Sequence, residues 1–299
     1  MSIKSVAIAG ASGFIGQPIL EAFLASKVFQ ITVLTRQGSK RIFPSNVHIR
    51  VVDYESVPSL ESALQGQDTL VSALGYESID VQKNLVDAAF NAGVRRMIPS
   101  EYGNDTLNPN VATIPIYHPK IAIREYLEQK IAERTSFSYT IIMNSSFLAP
   151  GYALNFLVDV EKKRCDIKDG GNIKFSAATL ETIGKAAIGI LLHLDETANR
   201  PVKIKSIDTT QNELLAIAQK VEPSAQWDIT YSTTQDLEKE ARKSWEKGDH
   251  SESVVEKFIW RAFLAWGGYF ENTDNELLGL TSLDKAGLEK IIRAAMTAP

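Results

Sequence analysis

The chain has a single cysteine, Cys165, among 299 residues, so it can close no intrachain disulfide and build no cysteine-based metal site. No metal is expected. The thiol sits in Lys162-Lys-Arg-Cys-Asp166, where neighbouring cations favour a thiolate, but the simpler reading is an incidental cysteine. A continuous apolar run of about 18 residues is also missing, which excludes a membrane-spanning helix. The first strand-like segment starts at residue 5, leaving no room for a signal peptide, and a cytoplasmic protein is expected. There is no surplus of positive charge: 32 Lys and Arg against 36 Asp and Glu give a formal net charge of −4. Nucleic acid and other polyanions are therefore not expected as partners. Repeats and low-complexity tracts are absent. One further gap is local. From Ala22 to Val52 there is no Asp or Glu, while Lys27, Arg36, Lys40, Arg41 and Arg50 are all present.

What the chain does have is a glycine triplet near its start: Gly10, Gly13 and Gly16 in Gly10-Ala-Ser-Gly-Phe-Ile-Gly16. The strand-like run Ser5-Val-Ala-Ile-Ala9 precedes it and the helix-like run Gln17-Pro-Ile-Leu-Glu-Ala-Phe-Leu24 follows. Strand, Gly-rich turn and helix in that order hold a dinucleotide pyrophosphate in a Rossmann unit. Glycine lets the chain turn sharply and lets backbone approach the phosphates. The helix that follows aims N–H groups and the positive end of its dipole at the anion. Gly10, Ser12, Gly13, Phe14, Ile15 and Gly16 are thus expected at the cofactor, with Gly16 where the helix packs on the sheet.

Strands and helices alternate through residues 1–150. Strands are expected at Ser5–Ala9, Gln30–Leu34, His48–Val52, Thr69–Ser72, Arg96–Pro99 and Ser138–Met143. Helices are expected at Gln17–Ala25, Val57–Ala63, Val81–Ala92 and Ile121–Ala132. Short apolar runs separated by helical segments predict an α/β fold, a Rossmann-type doubly wound parallel sheet. The pattern loosens beyond residue 150. Glu181–His193, Thr210–Val221 and the charged Gln235–Lys247 read as helices, and Gln226–Ser232 as a strand. Ser253–Trp266 reads as one amphipathic helix, whose Phe258, Trp260, Phe263 and Trp266 belong to a core at helical spacing, with one or two free to face a bulky substrate. Residues 151–299 are expected to form a smaller C-terminal substrate-binding domain, with part of 181–206 returning to the Rossmann half.

The acid-free stretch decides the cofactor. An NAD-preferring Rossmann domain places a carboxylate at the end of its second strand to accept from the ribose hydroxyls. Here that position is in Thr35-Arg36-Gln-Gly-Ser-Lys40-Arg41. A carboxylate would repel a 2′-phosphate, whereas a guanidinium binds it bidentately and stacks on adenine. Arg36 is the expected phosphate ligand, assisted by Lys40 and by a hydroxyl of Thr35 or Ser39, and the cofactor is NADP(H). Asp53, ending the third strand with Tyr54, is placed beside the adenine, or else simply forms an Asp turn. Ser72, Ala73 and Leu74 end the fourth strand, where small residues let the cofactor pass. Asn144, Ser146 and Phe147 end the sixth, and Ser100 and Tyr102 stand nearby. Asn144, Phe147 and Ser100 are assigned to the cofactor, Tyr102 and Ser146 to the substrate.

Several of these stretches together resemble the isoflavone reductase-like, NmrA-like family of atypical short-chain dehydrogenases, and fungal members in particular. They are Gly10–Gly16, spaced G-x-x-G-x-x-G; Asp53-Tyr54 with Ser59–Asp68; Ala92-Gly-Val-Arg-Arg-Met-Ile-Pro-Ser100-Glu-Tyr-Gly103; Lys120-Ile-Ala-Ile-Arg124; and Asn272–Leu280. The resemblance implies NADPH-dependent reduction of phenolic or polyketide-like small molecules, with Lys120 catalytic; the expectation is an NADPH-dependent oxidoreductase, a reductase of a small aromatic or conjugated carbonyl compound in secondary metabolism.

Lys120 has a case of its own. It opens a helix just beyond the loop at the carboxyl end of strand five, the edge where open α/β sheets bind ligands. A cation at a helix N-terminus is unfavourable unless something polar or anionic answers it, and a lowered pKa suits acid/base work. Arg124, one turn on, braces the site or pairs with Glu128 or Glu101. Tyr117 and His118 are candidate proton donors, His118 equally well a loop residue with no role. Tyr126-Leu-Glu-Gln-Lys130 imitates the Tyr-x-x-x-Lys pair of ordinary short-chain dehydrogenases, yet lies nearly two turns into the helix and is read as a solvated face. The expected partner is a small-molecule substrate, and a homodimer is left open. Two other readings use the same residues: a redox-neutral isomerase or cyclase, and a dinucleotide sensor without chemistry.

Overall fold

Alternating β-branched and small apolar residues bury the first strand, β1 (Ser5–Ala9), on both faces, as a central parallel strand requires. The computed structural model describes residues 2–75, 78 and 81–297. β1 pairs in parallel with β2 (Gln30–Arg36) on one side and β4 (Thr69–Ser72) on the other. β3 (His48–Val52) extends the sheet beyond β2. β5 (Arg96–Ile98) and β6 (Ser138–Met143) extend it beyond β4. A seventh strand, β10 (Arg200–Lys203), closes the far edge, giving the order β10-β6-β5-β4-β1-β2-β3, parallel throughout. This is the doubly wound Rossmann-type sheet. Its winding reverses between β1 and β4, and the crevice at such a reversal is where ligands bind.

Helices cover both faces. α2 (Val57–Leu64) packs against α3 (Gln82–Asn91), and α3 contacts α5 (His118–Glu133). α4 (Pro109–Ala112) is a single turn on the way to α5. On the other face, α1 (Gly16–Ser26) packs along α7 (Leu180–Leu192). That approach depends on Gly184, where a Cβ would stand 2.8 Å from both the Ala22 Cβ and the Pro18 carbonyl oxygen. So α7 and β10 join the Rossmann half, although they follow residue 150. Arg96 fastens this join. It is 2% exposed, and its guanidinium donates to Ser138 Oγ at 2.9 Å, Thr140 Oγ1 at 2.8 Å, Thr197 Oγ1 at 2.9 Å and the Leu194 carbonyl. Burial lowers its pKa to about 10.

The remaining elements form a second unit over the carboxyl edge of the sheet. β7 (Ser146–Phe147), β9 (Phe175–Ala178) and β11 (Ile207–Thr209) make a three-stranded sheet, and β8 (Arg164–Lys168) pairs with β12 (Asp228–Ser232). α6 (Tyr152–Leu157), α8 (Gln211–Val221), α9 (Thr234–Trp245), α10 (Glu252–Ala262) and α11 (Lys285–Thr297) complete it. The helix expected through Trp266 stops at Ala262 and continues as a π-helical turn, Phe263–Gly267. Gly268 ends it: a Cβ there would lie 2.1 Å from the Phe263 carbonyl oxygen, so the widened turn has no room for a side chain. Periodicity could not show this, because the apolar spacing hardly changes across one π turn. Cys165 lies buried in β8, and burial pushes its thiol up to about 11, which removes it as a nucleophile near neutral pH.

Candidate active site

The glycine triplet forms a backbone cradle at the reversal of winding. Gly10 has φ +80°, and a Cβ on it would fall 2.5 Å from the Ala73 carbonyl oxygen at the end of β4. The Gly13 N–H donates to the Gly10 carbonyl at 2.9 Å. Helix α1 begins at Gly16 with no side-chain cap. The Gln17 N–H donates to the Gly13 carbonyl at 2.9 Å and Pro18 has none, so the Gly16 N–H and the positive end of the helix dipole are what the turn offers an anion. Ser12, Gly13 and Phe14 are exposed along the rim. At the end of β2, Arg36 and Lys40 are exposed and Thr35 is half-buried. These features fit a dinucleotide with an additional phosphate on its adenosine half. Asp53 makes the Asp turn, accepting from the Glu55 N–H at 3.0 Å, while Tyr54 donates to the Leu34 carbonyl at 3.1 Å and is pushed up to about 12 by burial.

Beside the cradle lies a cavity of about 450 Å3. Nine residues singled out in the sequence line it: Phe14, Ile15, Leu74, Ser100, Tyr102, Tyr117, Lys120, Ser146 and Phe147. Phe14 and Phe147 meet edge to face at 5.7 Å between ring centroids, joining the Gly-rich turn to β7. Ser100 is held from both ends: its N–H donates to Gln82 Oε1 and its hydroxyl to the Leu74 carbonyl at 2.7 Å. Two assignments need correction. Ser72 and Asn144 are completely buried, so neither presents surface to a ligand. The chain turns the following residues outward instead, placing Leu74 and Ser145 on the cavity. Ser145 was missed because its role depends on an uncommon conformation, φ +54°. Its N–H donates to the Gly103 carbonyl at 2.9 Å and its hydroxyl to the Gly268 carbonyl at 2.7 Å.

Lys120 stands in the first turn of α5, and Nζ donates to the Tyr102 carbonyl at 2.9 Å. Burial lowers its pKa, with the Glu101 carboxyl opposing the shift. Among the described residues it is the only charged side chain that lines the cavity. Tyr117 stands within the same cavity, its hydroxyl accepting from Asn104 Nδ2 at 2.6 Å. Burial raises the pKa of both Tyr117 and Tyr102, so both phenols stay protonated. His118 is exposed and is not a lining residue. The polypeptide turns into α5 at that point, and Ile116, Tyr117 and Lys120 are the residues of this turn that line the cavity. Tyr126 and Lys130 both reach Asp87 on α3, Lys130 Nζ at 3.2 Å, on a helix face remote from the lining residues.

The outer wall comes from residues with no recognisable motif: Tyr152, Ala153 and Phe156 of α6, and Val255, Ile259 and Phe263 from α10 and its π turn. Of the four aromatics near the C-terminal end, Phe263 alone lines the cavity. Phe258 and Trp260 are core residues, Trp260 stacked on Phe156 with centroids 4.4 Å apart, and the Trp266 ring carries the Arg261 guanidinium at 4.4 Å.

A doubly wound sheet with a glycine cradle at its switch point, and a lysine-bearing apolar cavity alongside, defines a Rossmann-type dinucleotide-binding protein with a small-molecule pocket. The chain belongs to the NmrA-like family, whose model matches residues 2–239. It is similar to the oxidoreductase aprR of Aspergillus flavus, with 32% identity over 94% of this chain and 95% of that one. It is also similar to the oxidoreductase poxI of Penicillium oxalicum, with 34% identity over 80% of this chain and 76% of that one. Among solved structures, the leucoanthocyanidin reductase–NADPH complex from Vitis vinifera shares the fold. Its TM-score is 0.76 at 22% identity, covering 98% of this chain and all of that one (100%).

Proposed function

We propose that the protein is an NADPH-dependent reductase of a small aromatic or conjugated carbonyl compound, in secondary metabolism, with Lys120 as general acid/base. The observation that carries the reading is the Lys120 amine, the single charged lining group among the described residues of a largely apolar cavity that opens beside the glycine cradle. The fungal relatives named oxidoreductases and the NADPH-bound structural neighbour support it. Residues 1–150 hold the cofactor, and 151–299, apart from α7 and β10, cover the substrate.

Gly10, Gly13 and Gly16 receive the pyrophosphate and Arg36, with Lys40, the 2′-phosphate. Bound there, NADPH supplies a hydride for an electrophilic carbon. Lys120 Nζ, steered by the Tyr102 carbonyl, donates its proton to the oxygen on which charge develops. The Tyr117 hydroxyl is positioned by Asn104 and offers that oxygen a second hydrogen bond. Phe14, Phe147, Phe156 and Phe263 exclude water and pack on a flat substrate.

The test follows absorbance of the reduced nicotinamide while aromatic ketones and enones are supplied. Lys120→Ala is expected to lower kcat/KM by about 100-fold or more, with NADPH affinity kept within a few-fold. Turnover without NADPH consumption would overturn the reductase reading in favour of an isomerase or cyclase. Turnover unchanged in Lys120→Ala would remove the lysine from the chemistry.

A further inference from the structure

Behind Lys120, outside the cavity, lies a buried acid that the reaction as described does not use. Glu101 is 1% exposed. Its Oε2 accepts from Thr106 Oγ1 at 3.0 Å, and the same Thr106 oxygen accepts from Arg124 Nη1 at 3.0 Å. Its Oε1 is buried with no hydrogen-bond partner. Arg124 follows Lys120 by one helical turn, so α5 directs two cations at the loop 101–106. The lysine binds that loop through the carbonyl of Tyr102, the residue next to Glu101.

A buried carboxyl with an orphaned oxygen is costly unless a charge interaction offsets it. The charges facing it are Lys120 and Arg124, both from α5. From β6, Tyr139 also senses it, its own hydroxyl donating to Glu128 Oε1 at 3.2 Å. Among the described residues Glu101 is the acid coupled to Lys120.

We propose that Glu101 is a positioning residue for Lys120: its carboxylate, anchored through Thr106 to Arg124, is the counter-charge that keeps the lysine amine protonated inside an apolar cavity. The anchor matters because Thr106, bonded to both Glu101 and Arg124, fixes the carboxylate in place behind the lysine. Burial pushes the Glu101 carboxyl up to about 7, and Lys120 and Arg124 oppose that rise. The acid is therefore ionised over the alkaline range in which the amine loses its proton. In that range the pair carries one charge of each sign, and loss of the carboxylate charge would favour the neutral amine.

The inference rests on the reading of Lys120 as proton donor, and its test is separable from that reading because it measures the amine itself. Trace acetylation with acetic anhydride across a pH series, followed by mass spectrometry of the Lys120 peptide, reports the midpoint of the amine. In Glu101→Gln the midpoint is expected to fall by about one pH unit or more, with exposed Lys40 unchanged as the internal control. Glu101→Asp, which keeps the charge but withdraws it, is expected to fall between the two and serves alone should the Gln variant fail to fold. An identical Lys120 midpoint in wild type and variants would overturn the proposal. The same shift in the alkaline limb of kcat/KM would link it to turnover. A midpoint that moves while Lys120→Ala retains full turnover would support the Glu101 coupling and remove the catalytic role of Lys120.

Discussion

A Cβ built on Gly16 would stand 2.0 Å from the carbonyl oxygen of Gly10. The first residue of α1 thus rests directly on the turn that the helix follows, and both partners are backbone, so neither can step aside. Gly16→Ala is expected to lower stability by roughly 1–3 kcal/mol and to abolish dinucleotide binding. Thermal unfolding and calorimetric titration with NADPH check the two effects. A variant that still binds NADPH at wild-type affinity would mean that the cradle does not hold the pyrophosphate.

Arg36 is the proposed determinant of the choice between coenzymes. It is exposed at the end of β2 in a stretch without acids, and a charge-assisted hydrogen bond to phosphate is its expected contribution. Arg36→Ala should weaken NADPH binding by roughly ten- to a hundred-fold while leaving NADH nearly unaffected. Equal losses for both coenzymes would place the guanidinium elsewhere than at the 2′-phosphate.

Arg96 carries a structural prediction with no catalytic content. Its buried guanidinium satisfies Ser138, Thr140, Thr197 and the Leu194 carbonyl together, tying β5 and β6 to the segment that leads into β10. Ser138, Thr140 and Thr197 each keep a bond to a backbone carbonyl without it, so Arg96→Ala acts by removing four hydrogen bonds and leaving a buried void, and should cost about 2–5 kcal/mol. Arg96→Lys should recover only part, because an ammonium cannot reproduce the planar fork. Denaturant midpoints at unchanged slope provide the measurement.

The Glu101 carboxyl makes stability depend on pH in a defined sense. Its folded-state pKa of about 7 lies above the ordinary 4.5, so the folded chain binds more protons than the unfolded one in that interval. Stability is expected to fall as pH rises from about 4.5 to about 7, by on the order of 3 kcal/mol, and then to level off. Lys120, held below its ordinary value of 10.5, acts in the opposite sense: between its folded value and 10.5 the unfolded chain binds more protons, and stability rises with pH. Glu101→Gln should flatten the acid-side slope. Unfolding free energies measured at intervals across the range check this, and an unchanged slope in the variant would show that another group is responsible.

Much of the Rossmann half was legible from local pattern. Ser5–Ala9, His48–Val52, Thr69–Ser72 and Ser138–Met143 occur as strands at the expected bounds, because a buried parallel strand is a short apolar run and the turns between are marked by Gly, Asp and Ser. Nine cavity residues were also within reach, since strand ends and the glycine turn mark the binding edge of such a sheet. Ser72 and Asn144 were misplaced by one or two residues. Ser72 lies within β4, which is buried along its whole length, and the chain reaches the cavity only after the strand has ended; Asn144 and Ser145 differ by one residue and a turn of the backbone at Ser145.

The amino-acid sequence by itself determined the order of the six strands up to Met143 and of the main helices between them, the glycine turn, the cationic stretch around Arg36 and the lysine at the start of α5, because each follows from residue types within a few positions of one another. The return of part of 181–206 was expected, but only the tertiary structure decided that β10 is the edge strand and α7 the helix along α1, that Tyr152, Phe156 and Phe263 wall the cavity, and that Glu101, Thr106 and Arg124 stand behind Lys120. Those relationships join residues far apart along the chain or depend on which way a side chain faces. Packing and burial set them, and no local periodicity encodes either.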